Sequence, residues 1–368
     1  MDNQKIILLT HEYPPKRGGA GVYCEELVHA SQELGISIEA WVPCYVKSSD
    51  NLKILSLKGS QDWSCSFRMF KEIFNKRNSF PPSTLLHFAE PGSLRAIIRF
   101  GWLINNLPEI MITIHGTELI RFCTNPIEKM LFLKFLKRST RIHVLSKFNK
   151  NELLKICPEI KDRIFLFPGA PGRNLISDNQ NKKIVSSKKT RILCVARIHP
   201  RKGQDRVLNS IKDLSKDLRM NIDCTFVGPI VKERFYNNLK KLSENLGCKV
   251  RFLGDLPDDE LKKHYQNSDI FILPSMPRAK SVEGFGFVYL EASSHGLPII
   301  AHRIGGVEDA VKDGKTGILT NPERPKELKD ALERLLTCKD LRKEMGRDGK
   351  NWAKKHNWRT VAKNIYSF

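Results

Sequence analysis

Two glutamates eight positions apart, Glu283 and Glu291, frame the string Glu283-Gly284-Phe285-Gly286-Phe287-Val288-Tyr289-Leu290-Glu291. The Gly-aromatic-Gly stretch reads as a loop, and a helix starts at about Val288. This places Glu283 in the loop and Glu291 about a turn into the helix. A loop carboxylate accepts hydrogen bonds from sugar hydroxyls. A helix carboxylate can grip a ribose diol, as acidic residues do in dinucleotide-binding folds. The amides of Gly286 and Phe287 would face an anion at the helix N-terminus. The competing reading, Glu291 as a buried capping or ion-pair carboxylate, accounts for one residue and not for the string.

Arg197 and Lys202 stand just past an apolar run, in Ala196-Arg197-Ile198-His199-Pro200-Arg201-Lys202-Gly203. Two cations beside a glycine can clamp a diphosphate, Arg through paired N–H groups and Lys as a point charge. Taken alone, the segment reads rather as a solvated basic turn. Gly18-Gly19-Ala20-Gly21 follows another apolar run and precedes a helix pattern. It supports a phosphate-approach loop and a plain turn equally. His115-Gly116-Thr117-Glu118 sits at a strand end, and Glu12 is a weaker candidate of the same kind.

These residues need elements to hold them. Residues 6–9 form a short apolar run that ends at Pro14-Pro15 and Gly18-Gly19. Val22, Leu27, Val28 and Leu34 follow at helical spacing, Gly35 stops the helix, and 36–42 alternates as a strand. That strand–loop–helix–strand unit opens a parallel α/β sheet. Strands are predicted again at 111–114 and 141–145. The stretch 173–190, RNLISDNQNKKIVSSKKT, is rich in Asn, Ser and Lys and reads as a linker. Beyond it the pattern restarts, with strands at 191–195, 223–228, 249–254, 269–273 and 297–301. The chain therefore divides into an α/β domain at 1–172, the linker, and a second α/β domain from 191 to 349. Two such halves leave a cleft, and ligands of open α/β sheets sit outside the strand carboxyl ends.

The composition narrows the partners. The chain has 368 residues and a formal charge of +22, which calls for an anionic partner: nucleic acid, an anionic membrane or a phosphorylated small substrate. No helix-turn-helix, zinc or RNP-like signal supports nucleic acid. The nine cysteines are scattered with no C-x-x-C pair, which argues against a disulfide framework and a zinc knuckle. No Asp/His metal cluster is evident, so no metal is expected. The start lacks a signal-peptide pattern, and the longest apolar stretches, 96–104 and 130–136, are broken by Arg99 and Lys134. The expectation is a cytoplasmic protein, with the basic and apolar stretch 121–150 as a candidate contact with an anionic leaflet at the inner face of the cell membrane. The competing reading is a core-facing helix with a solvated basic side. A second candidate stretch is 63–80, with Phe67, Met69, Phe70, Ile73 and Phe74 beside Arg68, Lys71, Lys76 and Arg77.

The chain resembles the retaining, nucleotide-sugar-dependent glycosyltransferases of family 4, which have the GT-B fold of two Rossmann-like domains. The resemblance covers nearly the whole sequence. It rests on Tyr13-Pro14-Pro15 with Gly18-Gly19, His115-Gly116, Arg197 with Lys202-Gly203, Phe252-Leu253-Gly254, and Val282-Glu283-Gly284-Phe285-Gly286 with Glu291-Ala292. It continues through Gly296-Leu297-Pro298, Gly305-Gly306-Val307-Glu308-Asp309 and Asp313-Gly314-Lys315-Thr316-Gly317. The stretch from Met276-Pro277-Arg278 to Glu283 looks most like bacterial mannosyltransferases that act on lipid-linked acceptors.

The resemblance implies hexose transfer from a GDP- or UDP-linked sugar to a hydroxyl of a glycan or lipid-linked acceptor, in cell-envelope polysaccharide, lipopolysaccharide or glycolipid synthesis. It implies no cofactor beyond the donor itself. Gly18 and Gly19 would lie against the donor diphosphate, and Arg197 and Lys202 would neutralise it as it departs. Glu283 would hold hydroxyls of the transferred sugar, and the backbone of Phe285, Gly286 and Phe287 would complete the phosphate cradle. Glu291 would bind the ribose, the base would sit near Arg251 and Phe252, and His115 would contact the sugar. Residues 350–368 would form a helix packing back on the first domain. Pro168-Gly169-Ala170 stands where the family often has Asn-Gly, and no role carries over to it. Rival readings are another GT-B enzyme such as a nucleotide-sugar epimerase, a non-catalytic relative and a basic polyanion-binding protein.

Overall fold

The computed structural model describes all residues except 1–3, 16, 17, 48, 60, 61, 105, 178–188, 279, 280, 367 and 368. The chain divides into two compact units, one of residues 1–169 with 357–368 and the other of residues 170–356.

The first unit alternates strands and helices: β1 (Lys5–Leu9), α1 (Gly19–Glu33), β2 (Ile38–Pro43), β3 (Leu52–Leu55), α2 (Trp63–Lys76), β4 (Thr84–Phe88), α3 (Pro91–Phe100), β5 (Glu109–Ile114), α4 (Thr117–Phe122), α5 (Pro126–Arg138), β6 (Arg141–Val144), α6 (Lys147–Ile156) and β7 (Ile164–Leu166). Among the described residues the strands make a seven-stranded sheet, ordered β3-β2-β1-β4-β5-β6-β7, with every described pairing parallel. A parallel sheet is covered on both faces, so its strands are apolar throughout rather than alternating. Leu8 and Leu9 of β1, Leu85 and Leu86 of β4, and Ile112 and Ile114 of β5 are fully buried. Side chains satisfy several helix N-termini: Asp62 accepts from the Cys65 amide for α2, Glu90 caps α3, and Asn125 caps α5. Strands β3, β4 and β7 are absent from the pattern reading. β4 escapes because polar Thr84 and His87 interrupt its apolar run, yet both are buried.

The second unit runs β8 (Thr190–Val195), α7 (Gln204–Lys212), α8 (Lys216–Met220), β9 (Ile222–Val227), α9 (Glu233–Glu244), β10 (Lys249–Phe252), α10 (Asp258–Gln266), β11 (Ile270–Leu273), α11 (Phe287–Ser294), β12 (Ile299–His302), α12 (Val307–Ala310), β13 (Gly317–Thr320), α13 (Pro325–Thr337) and α14 (Lys339–Ala353). Its described strands form a six-stranded parallel sheet, ordered β10-β9-β8-β11-β12-β13. The last helix, α15 (Trp358–Tyr366), belongs to the first unit.

The unit boundaries fall after Gly169 and after His356, not at 172 and 349. α14 runs through position 350 within the second unit because Gly346 and Gly349 let it lie close against Gly296 and Ser293. Of the expected linker, 178–188 lie outside the described residues, while Leu175 is buried and its carbonyl receives the His295 ring at 2.8 Å. Aromatic side chains at both ends of α15 hold it in the first unit. Trp358 meets Tyr23 at 5.7 Å, and the Tyr366 hydroxyl pairs with His87 Nδ1 at 2.6 Å.

Candidate functional site

Each sheet changes winding direction once. In the second unit the chain moves outward from β8 through β9 to β10, then from β11 through β12 to β13, so the crevice opens between β8 and β11. Ligands of such sheets bind beyond the strand carboxyl ends at that reversal. The loop after β8 carries Arg197 and Lys202, and the loop after β11 carries Ser275 and Glu283.

The Lys202 loop is fixed by its backbone. His199 Nδ1 accepts the Arg201 amide at 3.1 Å, and the Arg201 carbonyl receives the Met276 N–H at 2.7 Å. Gly203 has φ +69°, and a Cβ there would lie 2.0 Å from the Pro274 carbonyl oxygen. Only glycine tolerates both the left-handed conformation and that approach. Lys202 Nζ then donates to Glu283 Oε2 at 2.6 Å, with both side chains 12% exposed. Ser275 Oγ donates to the same oxygen at 3.1 Å, and His302 Nδ1 lies 3.2 Å from the Ser275 carbonyl. The Glu283 backbone is also held. Its carbonyl accepts the Gly306 amide at 2.8 Å, and Arg201 Nη1 donates to the Val282 carbonyl at 3.0 Å.

Burial would raise the Glu283 carboxyl, but the Lys202 ammonium and the Arg201 guanidinium overcome it and hold the carboxyl at about 2. Burial pulls Lys202 below the usual lysine value, with Glu283 opposing. The Glu283 carboxylate is charged at neutral pH, and the two side chains are committed to each other.

α11 starts beside this pair. Gly286, at φ +89°, is its N-cap, and Phe285 and Phe287 are buried with ring centroids 5.7 Å apart. The helix begins one residue before the expected Val288. Glu291 is 5% exposed and accepts from the Tyr265 hydroxyl at 2.9 Å. Tyr265 in turn stacks on His295, with centroids 5.4 Å apart. On the flank of the sheet, Arg251 donates to Thr225 Oγ1 at 3.2 Å, and Phe252 stacks on Phe226 at 5.0 Å. Arg197 is exposed, and its carbonyl accepts from Gln204 at 2.9 Å. Sequence reading singled out Lys202, Glu283, Glu291 and the Gly286–Phe287 turn. It missed Arg201, Ser275, Tyr265 and His302, whose roles depend on contacts between distant segments. Arg201 alone carried a local signal, as a third cation in the same motif.

The first unit reverses between β1 and β4. Beyond those strands and β5 lie Glu12, Glu90 and His115. His115 Nε2 donates to the Ala89 carbonyl at 2.9 Å, and its ring meets Tyr23 edge-on at 5.1 Å. The His115 amide donates to the Glu118 carboxylate, which burial pushes up. At the α1 N-terminus, a Cβ on Gly18 would lie 1.7 Å from Glu12 Oε1. A carboxylate thus lies against Gly18, where the resemblance implies a phosphate. Glu90, missed by sequence reading, accepts the Gly92 and Ser93 amides at 2.6 Å each and that of His11 at 2.9 Å. Glu90-Pro91 was a readable helix-start signal, an acceptor followed by proline at the first helical position. Among the described residues no group of three or more His, Cys, Asp and Glu is placed to hold a metal ion.

Residues 176–352 match the family described as Glycosyl transferases group 1. The GDP-mannose-dependent alpha-(1-6)-phosphatidylinositol monomannoside mannosyltransferase of Mycolicibacterium smegmatis is 26% identical over 383 residues, covering 96% of this chain and 95% of that protein. The protein of that name from Mycobacterium tuberculosis is 28% identical over 239 residues, 64% of this chain and 60% of its own length. This chain therefore aligns with less than two thirds of the M. tuberculosis relative. Sucrose-phosphate synthase from Thermosynechococcus elongatus superposes with a TM-score of 0.78 at 18% identity, over 98% of this chain and 96% of that one. Two parallel-sheet units and the superposition on sucrose-phosphate synthase give the chain the GT-B fold, its residues 176–352 match the group 1 glycosyl transferase family, and it is similar over nearly its whole length to a bacterial mannosyltransferase.

Proposed function

We propose that the chain transfers a hexose with retention of configuration from a nucleoside-diphosphate sugar to a hydroxyl of a glycan or lipid-linked acceptor in cell-envelope glycan or glycolipid synthesis. GDP-mannose is the first donor to test, because the mycobacterial relatives are named for it. The observation that carries the reading is the buried Lys202–Glu283 pair beside the start of α11, at the winding reversal of the second unit.

In this reading the donor diphosphate lies over Lys202, Arg197 and the Gly286 and Phe287 amides. As the bond from sugar to phosphate breaks, negative charge grows on the leaving group, and these preplaced donors stabilise it. Such electrostatic preorganisation is usually the largest catalytic contribution, and loss of one donor costs on the order of 10²–10³ in rate. Glu283 holds sugar hydroxyls. Its pairing with Lys202 fixes its charge and position before the donor arrives, which lowers the ordering cost of binding. Glu291 takes the ribose and the Arg251–Phe252 edge takes the base. The acceptor hydroxyl approaches the face from which the phosphate leaves, so no side-chain nucleophile is required. Cationic side chains take the place of a divalent ion, so transfer persists in EDTA.

The test is thermal melting with GDP, UDP and ADP, followed by transfer assays with GDP-mannose and NMR of the product's anomeric centre. A stabilising nucleotide, loss of that effect in Lys202→Ala and an α-linked product are expected. Melting unchanged by all three nucleotides refutes the donor site. A β-linked product from an α-linked donor refutes retention.

A further inference from the structure

α2, WSCSFRMFKEIFNK, turns Cys65, Met69, Phe70 and Ile73 into the core of the first unit. That helix face leaves Trp63 and Phe67 outside, 62% and 50% exposed. Both rings lie against Phe100 of α3, each with centroids 5.5 Å away. Just beyond α3, Trp102 and Leu103 are 58% and 49% exposed. The Arg99 guanidinium lies 4.4 Å over the Trp63 ring, while its Nε is 3.7 Å from Glu128 of α5. Next to Glu128, Ile127 and Met130 are 66% and 61% exposed. Six bulky apolar side chains thus face water along a continuous α2–α3–α5 surface.

This surface differs from the one expected at 121–150. Phe132, Phe135 and Leu136 of that stretch are buried in the core, Arg141 opens β6, and Lys147 and Lys150 belong to α6. The apolar contribution of 121–150 shrinks to Ile127 and Met130, and the aromatic side chains come from α2 and the end of α3.

Contiguous exposed apolar patches mark interaction sites. The charge around this one selects the partner. Residues 62–76, 99–103 and 121–138 hold nine Lys and Arg against three Asp and Glu. Of those acids, Asp62 caps α2, Glu72 pairs with Lys53 and Glu128 approaches Arg99. A second copy would present the same positive face and be repelled. Tryptophan, apolar with one polar N–H, is enriched at the boundary between lipid headgroups and acyl chains. No described helix is long and apolar enough to cross a membrane.

We propose that the α2–α3–α5 face docks on an anionic lipid bilayer. Trp63, Phe67, Trp102, Leu103, Ile127 and Met130 enter the headgroup boundary, and cations including Lys71, Lys129 and Lys134 meet the lipid phosphates. The two contributions separate by salt. The electrostatic part is screened within about 8 Å at physiological ionic strength, while apolar insertion persists.

The experiment is co-sedimentation of the full chain with phosphatidylcholine vesicles, with and without about one quarter phosphatidylglycerol, beside tryptophan emission. The chain should pellet with the anionic vesicles only, and its emission should shift to the blue. Lys129→Gln with Lys134→Gln should weaken partitioning about 25-fold at low salt, at about fivefold per cation. Trp63→Ser with Trp102→Ser should remove most of the blue shift, since the Trp41 and Trp358 side chains are buried and Trp352, half-buried, belongs to the second unit with its Nε1 donating to the Ala310 carbonyl. All four positions are exposed, so melting should stay within about 2 °C of wild type. Equal binding by wild type and both variants overturns the proposal, as does failure of wild type to pellet. A dimer in solution that Trp63→Ser dissociates also overturns it, because the face would then be covered by a second copy. Donor-induced melting shifts should be the same in all variants, so failure here leaves the donor site standing.

Discussion

Glu283→Gln removes one charge and almost no volume, and it isolates what the Lys202 pair contributes. The two side chains meet at 2.6 Å and are each 12% exposed. At an effective dielectric of about 20, a charge pair at that distance attracts by about 6 kcal/mol before desolvation is subtracted. The downward displacement of the Glu283 carboxyl, from 4.5 to about 2, corresponds to about 3 kcal/mol. The variant leaves a buried ammonium beside Arg201 without its counter-ion. Breaking a buried pair in that way costs about 3–5 kcal/mol. An upper bound comes from Lys202 shedding its proton, which costs an ordinary lysine about 5 kcal/mol at pH 7. We therefore expect a loss of about 3–5 kcal/mol. At about 2–4 °C per kcal/mol for a domain of this size, melting falls by about 6–20 °C.

The assay is calorimetric melting across pH. The Glu283 carboxyl is more acidic folded than unfolded, so its stabilisation is complete above about 4.5 and disappears as pH falls toward 2. The wild-type and Glu283→Gln melting curves should be furthest apart at pH 7 and converge across that window. Lys202→Met combined with Glu283→Gln should be more stable than Glu283→Gln alone, because no unpaired charge remains buried. If Glu283→Gln melts within 2 °C of wild type at pH 7, or if the double variant recovers nothing, the buried-pair argument is wrong.

Three further outcomes are expected. Neutral His143 bridges the Tyr23 hydroxyl, 2.8 Å from Nδ1, and the Phe167 carbonyl, 2.9 Å from Nε2, and burial lowers it to about 4. The unfolded state therefore binds the proton first, and about 3 kcal/mol of stability is lost between pH 6.5 and 4; urea titrations of His143→Asn should show a flatter slope over that range. Gly203→Ala should cost more than about 2 kcal/mol, from a left-handed backbone and a clash with Pro274, and should lower melting by several degrees. Tyr265→Phe withdraws a donor from buried Glu291; it should cost about 1–3 kcal/mol and raise the nucleoside-diphosphate Kd in calorimetric titration.

Much of the site was legible because its chemistry is local. In a parallel α/β sheet the functional loops directly follow apolar strand runs. Lys202-Gly203 after β8 and the Glu283–Glu291 string leading into α11 could therefore be placed without coordinates. Ser275 and His302 were not legible, and Arg201 showed only as a third cation in its motif, because each acts through a partner on another loop. Tyr265 on α10 finds Glu291 on α11, 26 residues away in sequence, only through the tertiary fold. The basic stretch 121–150 misled for a related reason. Its apolar residues were counted together, although α5 buries Phe132 and exposes Met130 two positions earlier.

The sequence by itself determined the alternation of strands and helices, the two α/β units and the residue types at the strand ends. Apolar runs, glycines and charge spacing act over a few residues. Only the tertiary structure decided that Lys202 and Glu283, 81 positions apart, neutralise each other, that a carboxylate rests against Gly18, and that Trp63 and Trp102 face water. Burial and ion pairing depend on what distant elements bring to the same place, and local periodicity carries no record of it.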